Sequence, residues 1–215
     1  MGRARGHFID LQTWKRRQHF ELFRPFAYPF FSATVDVDVT AMWRRCRERA
    51  EPSFFLTSLF ALLQAVNASE PLRMRLRDGG VWVHEQVGIG TPILRPDETF
   101  AFGRFDPAPT LAAFARTGLD TIARVKASAD INAMADEDDL VYHSTLPWLK
   151  FTSFTNALSG QDSIPRVTFG QVCQVGTVYQ MPVAIAVHHA LADGLDVARL
   201  VEGLQARLSR AEETK

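Results

Sequence analysis

The chain has 215 residues, of which 47% are hydrophobic and 22% charged, a balance that suits one globular domain and excludes disordered and fibrous classes. Lysine plus arginine and aspartate plus glutamate each number 24, so the formal net charge is zero. A general nucleic-acid or membrane-surface binder needs a charge field that this chain lacks, which leaves small molecules as the expected partners.

Along the chain, "DLQTWKRRQHFELFRPF" reads as a short helix: Asp10 or Thr13 can cap it, Trp14, Phe20 and Phe23 fall near helical spacing, and Pro25 stops it. Its "WKRR" run suits a solvated helix face better than a nucleic-acid patch. The next stretch, "FSATVDVDV", alternates Phe31, Ala33, Val35 and Val37 with polar neighbours, as in a half-buried strand. "TAMWRRCRERA" reads as a helix exposed on one face, and "SFFLTSLFALLQAVNAS" as a buried helix capped by Ser53. Asp78-Gly79-Gly80 has the composition of a tight hairpin turn between alternating runs. "PAPTLAAFARTGLDTIARVKASAD" predicts another helix, and short strands follow in "LVYHSTLPWLKFTSF", "RVTFGQV" and "TVYQMPVAIAV". Val183 to Val187 are apolar at every position, the mark of a strand covered on both faces. "GLDVARLVEGLQARL" closes the pattern with Val197, Leu200, Val201, Leu204 and Leu208 on one helical stripe.

Cys46 and Cys173 lack CxxC spacing and are expected to be free thiols. No stretch approaches the ~18 apolar residues of a membrane span. The start of the chain has no apolar h-region either, so a cytoplasmic protein is expected.

The apolar strand ends at His188 and His189, and Asp193-Gly194 then leads into the last helix. Neighbours in a strand point to opposite faces, so the two imidazoles cannot readily share a metal, and no H-x-x-x-H or cysteine pair supplies further ligands. No metal is expected. Two core histidines are one reading; a general base at the end of a strand is the other, with an imidazole suited to proton transfer near neutrality. Periodicity does not say which ring faces a cleft. No G-x-S-x-G elbow, P-loop or full dinucleotide fingerprint is present, since "GIG" at 88–90 lacks the third glycine. A base that deprotonates a substrate hydroxyl fits best.

"HHALADG" followed by "LDVARLVEGLQ" resembles the active-site signature of the chloramphenicol acetyltransferase family, within the wider His-His-x-x-x-Asp-Gly acyltransferases. "WKRRQHFELF", "LRMRLRDG", "STLPWLKFTSF" and "QMPVAIAVHHA" resemble the same family in the same order. The resemblance implies an α/β two-layer sandwich, with a mixed sheet covered by helices, and a single acyltransferase domain over residues 1–215. It implies O-acetyl transfer from acetyl-CoA to chloramphenicol or a similar small aryl alcohol, in a homotrimer whose active sites lie between subunits. A coenzyme-A acyltransferase with another acceptor, or a non-catalytic binding relative, is the alternative.

By the same resemblance, His189 is the general base and Ser144 stabilises the oxyanion. Asp193 pairs with Arg16 to hold the loop behind the imidazole, and Thr168 holds a water near the intermediate. Phe23, Phe31, Tyr142 and Phe154 would line the acceptor pocket, and His188 would be structural. The chain departs from the family pattern at Asn156, where an apolar contact is expected, at Phe23, where some members have tyrosine, and at Ser53 and Gln171, where lysines would help hold coenzyme A. The acidic segment 128–140 departs as well.

Overall fold

The computed structural model describes residues 5–49, 52–134, 137–157 and 162–210. Ten strands and five α-helices follow one another through these residues: β1 (Gly6–Phe8), α1 (Arg17–Phe23), β2 (Phe30–Asp38), α2 (Thr40–Arg49), α3 (Phe54–Asn67), β3 (Met74–Arg77), β4 (Gly80–His84), β5 (Gly88–Leu94), β6 (Phe100–Phe105), α4 (Leu111–Ala127), β7 (Leu140–Thr145), β8 (Arg166–Phe169), β9 (Cys173–Val175), β10 (Val178–His188) and α5 (Gly194–Ser209).

A seven-stranded sheet runs in the order β2-β10-β8-β7-β5-β6, with β9 beside β10. It is mixed: β7 is parallel to both β5 and β8, while the remaining pairs are antiparallel. Strand periodicity divides its faces. Val183, Ile185 and Val187 of β10 join Val141, Val167 and Phe169 in one core with the apolar stripes of α3, α4 and α5. Ala184 and Ala186, on the other face, are buried too. The strand expected to be covered on both faces is therefore found, and α5 buries Val197, Leu200, Leu204 and Leu208 as the stripe required.

Ser53 caps α3 as expected, its hydroxyl accepting from Leu56 N–H at 3.3 Å. The hairpin turn also forms, with Asp78 and Gly79 both at positive φ (49° and 76°), but it joins β3 to β4 in a separate small sheet with β1. A second, smaller core of Phe20, Met74, Val81, Val83, Ala190 and Leu191 lies under that sheet.

Two expectations need correction. The first helix begins at Arg17, without a side-chain cap: Asp10 instead closes its own turn, accepting from Gln12 N–H at 2.9 Å. Local Asx bonding of this kind competes with helix initiation. The run "LVYHSTLPWLKFTSF" is strand only to Thr145, because Pro147 cannot donate to a ladder. The acidic segment that departs from the family pattern is tied to arginines from distant strands: Arg77 binds Asp138 at 2.6 Å and Arg104 binds Asp139 at 2.9 Å. Residues 135–136 of that segment, and Ala50 at the end of the second expected helix, lie outside the described residues.

Candidate active site

β10 ends at His188, and His189 N–H extends its ladder by one bond, donating to Pro29 O at 2.7 Å. The chain then turns tightly, with Leu191 and Ala192 N–H both reaching His188 O, at 2.9 and 3.1 Å. Alternation along the strand sends the two imidazoles to opposite faces.

His188 is a buried core residue. Its Nδ1 accepts from Ala190 N–H at 3.3 Å, and its ring meets Phe30 edge to face at 5.6 Å. Burial, and secondarily the neighbouring His189, push its pKa down to about 4, against an opposing pull from Asp162, so the ring is neutral near pH 7.

The ring of His189 is only partly covered. Phe23 stacks on it at 4.0 Å with planes 12° apart, and Phe31 tilts against it at 5.5 Å. Nδ1 lies 3.3 Å from Ala192 O. A carbonyl only accepts, so Nδ1 carries the proton and Nε2 presents its lone pair. Among the described residues nothing hydrogen-bonds to Nε2. A stacked ring of fixed tautomer with a free basic nitrogen is suited to take a proton from a ligand.

Behind this ring, Asp193 is the N-cap of α5 and accepts from Leu195 N–H at 3.0 Å. Its other oxygen binds Arg16, whose Nη2 also reaches His189 O at 3.3 Å. The Arg16 hydrogen bond holds the Asp193 carboxyl below its usual range, outweighing the opposing effect of burial. Asp196 adds a second carboxylate, 3.8 Å from Arg16 and accepting from Asp193 N–H at 3.0 Å. Sequence reading missed Asp196, although its place three residues after the cap is the spacing of a capping box.

Ser144, Thr168 and Tyr142 form a separate group. Ser144 on β7 pairs with Thr168 on β8, which pairs with Ala184 on β10. Ser144 and Thr168 thus share the sheet face opposite to Val183 and Val187. Two strand spacings and five residues of β10 separate Ser144 from His189, roughly 19 Å between Cα atoms. The chain by itself brings Phe23, Phe31, Arg16 and Asp193 to His189, but not Ser144. Thr168 is fully buried, its hydroxyl 3.5 Å from Asn156 Oδ1. Tyr142 lies against the Arg166 guanidinium, 5.5 Å from the ring centre, and Phe154 packs on Phe151 at 5.5 Å.

A cleft of about 570 Å³ opens where β7 and β8 end. Thr145 and Phe169, each adjacent in sequence to Ser144 or Thr168, form part of its wall, with Trp43, Phe54, Phe55 and Trp148. Two of its lining groups, Trp43 Nε1 and Thr145 Oγ1, are buried with no hydrogen-bond partner among the described residues. Native folds seldom leave such groups unpaired, and a cleft that does offers them to a ligand. Among the described residues no cluster of three or more His, Cys, Asp or Glu side chains is arranged to hold a metal.

Comparison with known proteins shows the family. The profile of the chloramphenicol acetyltransferase family matches residues 6–205. A chloramphenicol acetyltransferase of Streptomyces acrimycini is 34% identical over 209 residues, covering 94% of this chain and 93% of that protein. One from Proteus mirabilis is 30% identical over 202 residues, covering 92% of each. A solved chloramphenicol acetyltransferase structure superimposes with a TM-score of 0.88 at 26% identity, over 95% of this chain and all of that one. The fold is thus the mixed-sheet α/β architecture of that structure, and the chain belongs to the chloramphenicol acetyltransferase family and is an acetyltransferase.

Proposed function

We propose that the protein moves the acetyl group of acetyl-CoA to a hydroxyl of chloramphenicol or a similar small aryl alcohol, with His189 as general base. The observation that carries this reading is the free Nε2 of a ring whose Nδ1 is fixed on Ala192 O. Nε2 takes the proton from the acceptor hydroxyl while the oxygen attacks the thioester carbonyl. The tetrahedral oxyanion accepts a hydrogen bond from the Ser144 hydroxyl, an effect worth about 3 kcal/mol in comparable sites. Collapse expels the thiolate of coenzyme A, and the imidazolium returns its proton to sulfur. Arg16 and Asp193 touch neither substrate: they hold the backbone of His189 in place. Thr168 orders a water beside the intermediate, and Phe23 and Phe31 offer an aryl acceptor a wall next to the base.

The roughly 19 Å between Ser144 and His189 within one chain supports an active site shared between subunits of a homotrimer. His189, Phe23 and Phe31 would come from one subunit, and Ser144, Thr168, Tyr142 and Phe154 from the next. The donor fits the cleft at the ends of β7 and β8, where aromatic walls and unpaired polar groups suit a long, amide-bearing thiol ester. A cytoplasmic location belongs to the same reading, since acetyl-CoA is an intracellular metabolite. A different hydroxyl acceptor is the second reading, favoured by Asn156, whose amide oxygen stands 3.5 Å from the Thr168 hydroxyl. Following thiol release from acetyl-CoA with chloramphenicol and a panel of other alcohols separates the two. Turnover confined to another alcohol selects the second, and no turnover with any acceptor defeats both.

A further inference from the structure

The cleft at the ends of β7 and β8 has one charged lining residue among the described residues, Lys126. It lies in the last turn of α4 and makes no ion pair with a described residue. Arg95 fixes that turn by donating to the carbonyls of Val125, at 3.4 Å, and Asp130. The positions where the family pattern would supply lysines are not cationic here. The Ser53 hydroxyl is occupied in capping α3, and Gln171 brings a neutral amide to the cleft wall.

We propose that Lys126 is the phosphate anchor of the donor cleft, an inference that rests on the reading of acetyl-CoA as donor. The aromatic walls take the apolar and planar parts of such a ligand, but its phosphates need a cation at the rim. Arg47 is the competing candidate, since its guanidinium lies 5.8 Å from the Trp43 ring. It is not a lining residue, and its charge is engaged with the indole face. A cation in the last turn of a helix also stabilises the helix dipole, but that role would move stability and leave donor selectivity untouched.

The test compares acetyl-CoA, acetyl-3′-dephospho-CoA and S-acetylpantetheine as donors for the wild type, Lys126→Gln, Lys126→Arg and Arg47→Gln, at saturating acceptor. Lys126→Gln should raise the KM for acetyl-CoA about fivefold, the scale of a partly exposed ion pair, with kcat within about a factor of two. Lys126→Arg should restore most of the loss, and kcat/KM for S-acetylpantetheine, which has no nucleotide phosphates, should be unchanged by Lys126→Gln. A penalty that disappears with the dephospho donor places Lys126 on the 3′-phosphate, and one that persists places it on the pyrophosphate; either supports the anchor. The inference is overturned by an equal penalty on all three donors, by none on acetyl-CoA, or by a penalty found in Arg47→Gln in place of Lys126→Gln. A wild-type protein that neither turns over acetyl-CoA nor binds coenzyme A overturns the donor reading itself.

Discussion

Asp193 does two separable things, and substitutions can divide them. Its carboxylate caps α5 and also binds Arg16, which holds the backbone of His189. Asp193→Asn keeps a capping oxygen and removes the charge; Asp193→Ala removes both. Breaking a fully buried ion pair costs about 3–5 kcal/mol, but the Asp193 side chain is 35% exposed and Asp196 stays 3.8 Å from Arg16, so about 1–2 kcal/mol is expected. The lost cap adds about 1 kcal/mol, which puts Asp193→Ala at about 2–3 kcal/mol. Arg16→Met should cost about 1–2 kcal/mol, leaving Asp193 still bonded to Leu195 N–H, and Arg16→Met/Asp193→Asn should cost about 1 kcal/mol less than the sum of its parts. Denaturant unfolding at one fixed protein concentration reads these differences, since the proposed trimer would make stability depend on concentration. The depressed pKa of Asp193 adds a check on sign. Its contribution is full above the ordinary carboxylate range and is lost as pH falls through the folded-state value, so the gap between wild type and Asp193→Asn should close in acid. Equal costs for the asparagine and alanine variants, or a coupling energy near zero, would refute the division of roles.

His189→Ala should fold and assemble like the wild type yet lose acetyl transfer, and substantial residual turnover would sink the assignment of the base. Ser144→Ala should lower kcat by about a hundredfold, matching the loss of one oxyanion donor. If the active site is shared between subunits, co-refolding His189→Ala with Ser144→Ala chains should restore part of the activity, because some interfaces then pair two intact halves; mixtures as inactive as their components would count against sharing. His188 supplies a pH prediction. Its pKa is pushed from 6.5 to about 4, so its contribution is full above pH 6.5 and declines to nothing by about pH 4. That amounts to at most about 3 kcal/mol. His143, buried beside Thr91 and pushed down to about 3, acts in the same sense. Stability measured against pH should therefore fall steeply below pH 6.5, and His188→Asn should flatten the slope by about one proton; an unchanged slope would place the acid sensitivity elsewhere.

Periodic features were legible because they are local. The all-apolar run of β10 and the stripe of α5 follow from side-chain spacing, and Ser53 and the Asp78-Gly79 turn follow from backbone chemistry at single positions. The first helix starts later than its sequence suggests because Asp10 bonds within its own turn, a competition that composition does not rank. The partners of the acidic segment were not legible, because Arg77 and Arg104 lie 61 and 35 residues away from Asp138 and Asp139.

The motif marked the two histidines and Asp193, and resemblance to the family assigned His189, Ser144, Arg16 and Thr168 their roles. Neither contained the tautomer of His189, which depends on the carbonyl of Ala192 brought back by a tight turn, nor the stacking of Phe23 on the ring. The cleft was equally out of reach, since Trp43, Phe54, Phe55 and Trp148 come from elements that meet only when the helices pack on the sheet. By itself the sequence determined the family, the order of elements and which residues can do acid-base chemistry, because composition and spacing act along the chain. Tertiary structure alone decided which nitrogen is free, that Ser144 lies strands away from His189, and where an aromatic-walled cleft opens, because these depend on strand register and packing between residues far apart in sequence.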